Sequence, residues 1–350
     1  MAYVPFSAVR EVENGCPKLP RPGRIPVMPW LDYSQKTSDL GAISATPASA
    51  TRAQSRAGTS GVHAPSGCGT LRGMSSFAVL ALFATVMPNA VVLKPVANMY
   101  SRPTEDADVV SQAIYGANVQ LMEQREGWAH VRTADEYTGW IPLAQLRPGP
   151  PYAESGHATQ VMSFFAHIYR ESDVTKHAPL VTVPFETRLE VTTMPPTGGR
   201  WIQVRLPDDH AGWIQSGDVT FDVKPLDIPA MLALARKFLG SPYTWGGTSS
   251  YGYDCSGFAQ MLERRRGVMM PRDADQQADW NGVAPVERKD LAPGDLLYFG
   301  SSAKHITHTG IYLGDNKFVS ATTHETPMVR IDDLTDPYWA RLLVAQRRPK

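Results

Sequence analysis

The chain has 350 residues, 34 Lys and Arg balanced by 34 Asp and Glu, 43% hydrophobic residues and three cysteines. A net charge of zero provides no electrostatic footprint for nucleic acid or an anionic membrane surface, both of which need clustered excess Lys and Arg. Cys16, Cys68 and Cys255 are too few and too scattered for a disulfide framework or a Cys-rich metal site, and no stretch reaches the ~18 consecutive apolar residues of a transmembrane helix.

Residues 1–73 differ in composition from everything after them. From 37 to 73 the chain is rich in Ser, Thr, Ala and Gly, with almost no acids and hardly any large apolar side chain. Such a segment buries too little surface to offset its conformational entropy, so a disordered tail is expected over 1–73. Residues 74–90 then carry the apolar run Phe77 to Met87, of signal-peptide length. Two readings stand. If Met74 is the true start, the protein is exported to the bacterial envelope or periplasm; if the run is a lead-in strand, it is cytoplasmic.

The next section repeats. Trp128, Val131, Arg132, Gly139, Trp140 and Ile141 recur as Trp201, Val204, Arg205, Gly212, Trp213 and Ile214, with 12 residues from the first Trp to the second in each copy. Short alternating strands around polar turns predict hairpins, hence two small β-barrels over 91–148 and 155–224, joined by the Pro- and Gly-rich residues 147–151. Trp128 and Trp201 are expected in the barrel cores. Tyr137, on the turn before Gly139, is the better candidate for a surface role.

From Asp227 the period changes. An Asp cap, Pro229 in the first turn, apolar Met231, Leu234, Ala235, Phe238 and Leu239, and a closing Gly240 predict an amphipathic helix that opens a third domain over 227–350. A Gly-rich loop then leads to Asp254-Cys255-Ser256-Gly257 and to a second amphipathic helix presenting Phe258, Met261 and Leu262. Cys255 thus falls at a helix N-terminus, where free N–H groups and the helix dipole favour a thiolate and can hold an oxyanion. Residues 292–300 and 305–321 read as consecutive antiparallel strands, and His308 lies where it could face that helix. A Cys and a His brought together this way suit a cysteine hydrolase. His305 and His308, three apart on a strand, point to opposite faces, which argues against zinc.

Tyr243-Thr-Trp-Gly-Gly247, Asp254-Cys-Ser-Gly-Phe258, Pro271 to Gln277, Gly294 to Phe299 and His308-Thr-Gly-Ile-Tyr-Leu-Gly314 together resemble the NlpC-type cell-wall cysteine peptidases. With two bacterial SH3-like domains in front, the chain is similar to the subgroup of γ-D-glutamyl-L-diamino-acid endopeptidases. The resemblance covers about Val91 to the C-terminus. It implies an α+β fold: two SH3-like barrels followed by a papain-like peptidase domain. It also implies Cys255 as nucleophile and His308 as base. The third catalytic position, often His, lies twelve residues after the first histidine and here is Ser320; His324 is the alternative. Trp245, Asp254 and Ser256 would line the substrate site, with a helix cap as the competing reading of Asp254. Tyr137 and Asp108 from the first barrel would close it around the free amine of L-Ala. Arg272 is read as an ion-pair partner. The implied partner is a murein stem peptide such as L-Ala-γ-D-Glu-diamino acid, acted on by a monomer without cofactor. An inactive peptide-binding protein and a thiol acyltransferase on the same fold remain alternatives.

Overall fold

The computed structural model describes residues 88–350. The expected tail over 1–73 and most of the apolar segment over 74–90 lie outside the described residues.

Two seven-stranded antiparallel sheets follow each other. The first comprises β1 (Asn89–Val92), β2 (Val96–Tyr100), β3 (Val109–Ile114), β4 (Asn118–Arg125), β5 (Trp128–Arg132), β6 (Thr138–Pro142) and β7 (Leu146–Pro148). The second comprises β8 (Ala158–Val161), β9 (Phe165–Tyr169), β10 (Val181–Pro184), β11 (Arg188–Thr193), β12 (Trp201–Arg205), β13 (Ala211–Gln215) and β14 (Val219–Thr220). Strand order is β3-β2-β6-β5-β4-β1-β7 in one and β10-β9-β13-β12-β11-β8-β14 in the other, the same order twice. The repeated Trp–Trp units form the equivalent hairpins β5–β6 and β12–β13. β1 already includes Asn89 and Ala90, and Ala90 is fully buried, so the first sheet draws on the end of the 74–90 segment.

Trp128 and Trp201 are not core residues. Alternation along the strands puts Ala129 and Val131, or Ile202 and Val204, into the barrels, and leaves both tryptophans half-buried on the opposite face. There each meets a tyrosine edge-on: Tyr100 on Trp128 at 5.5 Å and Tyr169 on Trp201 at 5.7 Å. Tyr115, from the β3–β4 turn, enters the core of the second barrel and so packs the two barrels together.

The third domain is α+β. Helix α1 (Ile228–Lys237) is capped by Asp227, whose carboxylate accepts the N–H of Ala230. A two-stranded ribbon, β15 (Thr248–Ser249) and β16 (Gly252–Tyr253), leads into α2 (Cys255–Arg265), followed by α3 (Ala274–Asp279). A six-stranded sheet follows, built from β17 (Val283–Pro285), β18 (Leu296–Ser302), β19 (His305–Gly314), β20 (Lys317–Thr322), β21 (Met328–Asp333) and β22 (Leu343–Pro349), with α4 (Pro337–Leu342) before the last strand. Its order is β17-β22-β18-β19-β20-β21. β19 turns into β20 through Gly314, Asp315 and Asn316, all at positive φ, as the Gly-Asp-Asn sequence suggests.

The sheet is covered on both faces. Leu296, Tyr298, Ile311 and Val319 pack against α1 and α2, while Leu297, Phe299, Tyr312 and Phe318 pack against Trp339 of α4. Two expectations about helices change. In α1, Leu232 is buried and Leu239, beyond the last turn, is exposed. In α2 ten of the eleven residues are buried, so it is a central helix rather than an amphipathic one. Its polar residues meet partners instead of water: Gln260 donates to Asp135 of the first barrel, and Arg264 pairs with Glu186 of the second.

Candidate active site

Cys255 is the first residue of α2, 9% exposed and unpaired. Asp254 caps the helix by accepting the N–H of Gly257 at 2.7 Å. The Gly-rich motifs have a steric reason. A Cβ on Gly257 would lie 2.2 Å from the carbonyl oxygen of Gly247, and one on Gly246, which has φ +72°, would lie 2.8 Å from Val109 of β3. The loop 245–247 can therefore press against both the start of α2 and the first barrel.

Backbone N–H groups of Thr309 and Ser256 point at the Cys255 sulfur and favour its thiolate, but burial and the Asp254 charge prevail and push the thiol up to about 12. His308 lies one residue before Thr309 on β19, so the strand that contacts the thiol also carries the imidazole. No hydrogen bond joins Sγ to the imidazole among the described residues. The sequence leaves His308 able to face the helix. Its ring instead packs against Phe299 and Trp339, with centroids at 5.6 and 5.1 Å, on the sheet face that α4 covers. This follows from register, since His308 is the cross-strand neighbour of Phe299. Burial, with His324 nearby, pushes the imidazole down to about 3. Near neutral pH both the thiol and the imidazole are therefore uncharged.

Ser320 meets His308: its Oγ is 3.1 Å from Nε2. The twelve-residue spacing achieves this because β19 turns back into β20 with Ser320 on the same sheet face as His308 and Gly310, where a Cβ on Gly310 would lie 3.2 Å from that of Ser320. His324 is placed differently. Its ring stacks on Tyr338 at 3.8 Å and meets the edge of Trp339, making no hydrogen bond to His308 among the described residues.

Asp254 and Ser256 are buried and committed to Arg272. This guanidinium spans both carboxylate oxygens of Asp254, donates to Ser256 Oγ at 2.8 Å and reaches Ser111 Oγ of β3 at 3.2 Å. The cap reading of Asp254 and the ion-pair reading of Arg272 thus both describe the geometry. Trp245 is 70% exposed, with its ring free for a ligand. Asp108 is also exposed and precedes Val109, the residue against which the Trp245 loop packs. Tyr137 donates to Asp273 at 3.0 Å, next to a cavity of about 440 Å³ between the first barrel and α3. Tyr243 was missed as a site residue, although it opens the first motif. Burial first, and then its closeness to Cys255 and Asp254, raise its phenol well above the ordinary value. Among the described residues no group of His, Cys, Asp and Glu side chains converges to hold a metal ion, and no helix is long and apolar enough to cross a membrane.

A helix-borne cysteine next to a histidine-bearing strand defines a papain-like thiol site. Comparison with known proteins agrees on the class. The NlpC/P60 family model matches residues 240–348, and the model described as the bacterial dipeptidyl-peptidase Sh3 domain matches 99–146. A gamma-D-glutamyl-L-lysine dipeptidyl-peptidase of Bacillus cereus is 30% identical over 256 residues, which are 68% of this chain and 74% of that protein. Dipeptidyl-peptidase 6 of Lysinibacillus sphaericus is 27% identical over 260 residues, 67% of this chain and 88% of that protein. The crystal structure of an NlpC/P60 family protein from Bacillus cereus superposes with a TM-score of 0.65 at 23% identity, over 75% of this chain and 99% of that one. The chain belongs to the NlpC/P60 family.

Proposed function

We propose that the protein is a cysteine endopeptidase that hydrolyses the γ-D-glutamyl–diamino acid amide of murein peptides with a free N-terminal L-Ala. The observation that carries this reading is that the backbone N–H of Thr309 on β19 reaches the Cys255 sulfur at the start of α2, while the preceding residue of that strand, His308, has its Nε2 held by Ser320. Two relatives named gamma-D-glutamyl-L-lysine dipeptidyl-peptidase, from Bacillus cereus and Bacillus subtilis, support the bond type.

The chemistry starts from an uncharged thiol and an uncharged imidazole. On substrate arrival His308 takes the thiol proton and Cys255 attacks the γ-carbonyl carbon. The oxyanion is held by N–H groups at the start of α2. The imidazolium returns its proton to the leaving amine, and a water deprotonated by His308 hydrolyses the thioester. Ser320 Oγ fixes the ring orientation through Nε2 and leaves Nδ1 for the proton. The exposed Trp245, with Asp108 and Tyr137 from the first barrel, would hold the L-Ala end, while Asp254 and Ser256 shape the wall through Arg272. The substrate reaches a monomer.

Mass spectrometry of L-Ala-γ-D-Glu-meso-diaminopimelate incubated with wild type and with Cys255→Ala tests this. Release of L-Ala-D-Glu by wild type alone is the expected result. Identical spectra would indicate a binding protein that has lost activity, and a Cys255-dependent acyl product without cleavage would indicate an acyltransferase.

A further inference from the structure

A cavity of about 420 Å³ lies where the three domains meet, at the end of α2 away from Cys255. It is separate from the proposed substrate site, since neither Cys255, His308 nor Trp245 lines it. Its size is in the range of small-molecule sites.

The polar groups around it are unevenly satisfied. Asp135 accepts from Gln260 at 2.8 Å, Glu154 accepts from Asn118 at 2.9 Å, and Glu186 pairs with Arg264. Each carboxylate therefore has a donor within the chain. Arg265 does not have the reverse. It is 5% exposed and lines the cavity, its side chain makes no hydrogen bond or ion pair among the described residues, and its Nε is buried without a partner. Arg188, exposed on the rim, is also unpaired among the described residues. A buried guanidinium without acceptors is costly unless something else supplies them.

We propose that this cavity is a second binding site, for a small organic monocarboxylate with an apolar body. What is unmet is acceptors, and a carboxylate matches the guanidinium fork of Arg265 in a bidentate manner. Three lining arginines and three lining carboxylates leave no net charge, which disfavours a dianion such as phosphate. Tyr115, Tyr152, Ile114 and Met269 supply the apolar wall. Bound there, the carboxylate touches both barrels and the peptidase domain at once.

The test is 19F NMR titration of the full chain with 4-fluorophenylacetate, with 4-fluorotoluene and inorganic phosphate as separate arms. Saturable binding of the carboxylate alone is expected, weakened about tenfold or more by Arg265→Met and by the rim variant Arg188→Glu, as loss of a charge-assisted pair predicts. Tripeptide cleavage by both variants should stay within about twofold of wild type, as neither residue touches the proposed substrate. Because Arg188 is exposed, its variant tests the site even where Arg265→Met fails to fold. Lack of saturation, equal binding of 4-fluorotoluene, displacement by phosphate, or wild-type affinity in the folded variants would overturn the proposal.

Discussion

Replacing Arg272 by Met would test how the start of α2 is held. The side chain is 1% exposed and serves Asp254, Ser256 and Ser111 together. Methionine fills much of the same volume but leaves the Asp254 carboxylate buried with only the Gly257 N–H and the Ser256 hydroxyl. Stranding one member of a buried pair costs about 3–5 kcal/mol. For a folded body of this size that lowers the melting temperature by about 10 °C. Asp254→Asn keeps the cap and removes the charge, so adding it to Arg272→Met should restore about 2 kcal/mol relative to the sum of the single losses. Urea denaturation of the four proteins, with tripeptide cleavage measured alongside, is the assay. A cost below about 1 kcal/mol for Arg272→Met, or additive single effects, would refute the view that one buried ion pair sets the α2 terminus.

Other consequences can be measured directly. Ser320→Ala removes a neutral hydrogen bond worth about 0.5–1.5 kcal/mol, so kcat should fall about three- to tenfold with KM little changed; a loss as large as that of Cys255→Ala would contradict a purely orienting role. Burial holds His308 down to about 3 and Cys255 up to about 12. Activity should therefore persist below pH 6, where an ordinary imidazole is protonated, and iodoacetamide labelling of Cys255 should show no rise near the ordinary thiol pKa of about 8.5. Glu263 is wholly buried and raised to about 7. A carboxyl raised in the fold contributes stability at low pH that is lost between about pH 4.5 and 7; Glu263→Gln should flatten that part of the stability profile, and an unchanged slope would show the group is not its source. Trp245→Ala should raise KM while moving stability by less than about 0.5 kcal/mol, given its exposure.

Much of this was legible in the residues because the motifs are local. The Asp cap and Pro229 of α1, the Gly-Asp-Asn turn and the position of Cys255 at a helix start all depend on neighbours a few residues away. The Trp–Trp repeat signalled two similar modules, and the identical strand orders match it. What failed depended on tertiary placement. Trp128 and Trp201 are expected in the barrel cores, whereas strand parity puts them on the opposite face. The face taken by His308 was decided in the same way, by pairing with Phe299. The full burial of α2 could not be read from its sequence, because Gln260 and Arg264 find their partners more than 70 residues away in the barrels. Which of Ser320 and His324 meets His308 was decided by the register of β20 against β19.

The contacts of β3 have a bearing on modularity. Val109 seats the Trp245 loop, Ser111 completes the hydrogen bonding of Arg272, and Gln112 takes Thr248 through both its side chain and its carbonyl. One edge strand of an accessory domain thus supplies the outer wall of the peptidase domain. Exchanging the barrels between relatives, or trimming them away to obtain a minimal hydrolase, would strip that wall as well as any tether. Recombination should succeed only where β3 travels with the segment from Tyr243 to Arg272 as a single inherited block.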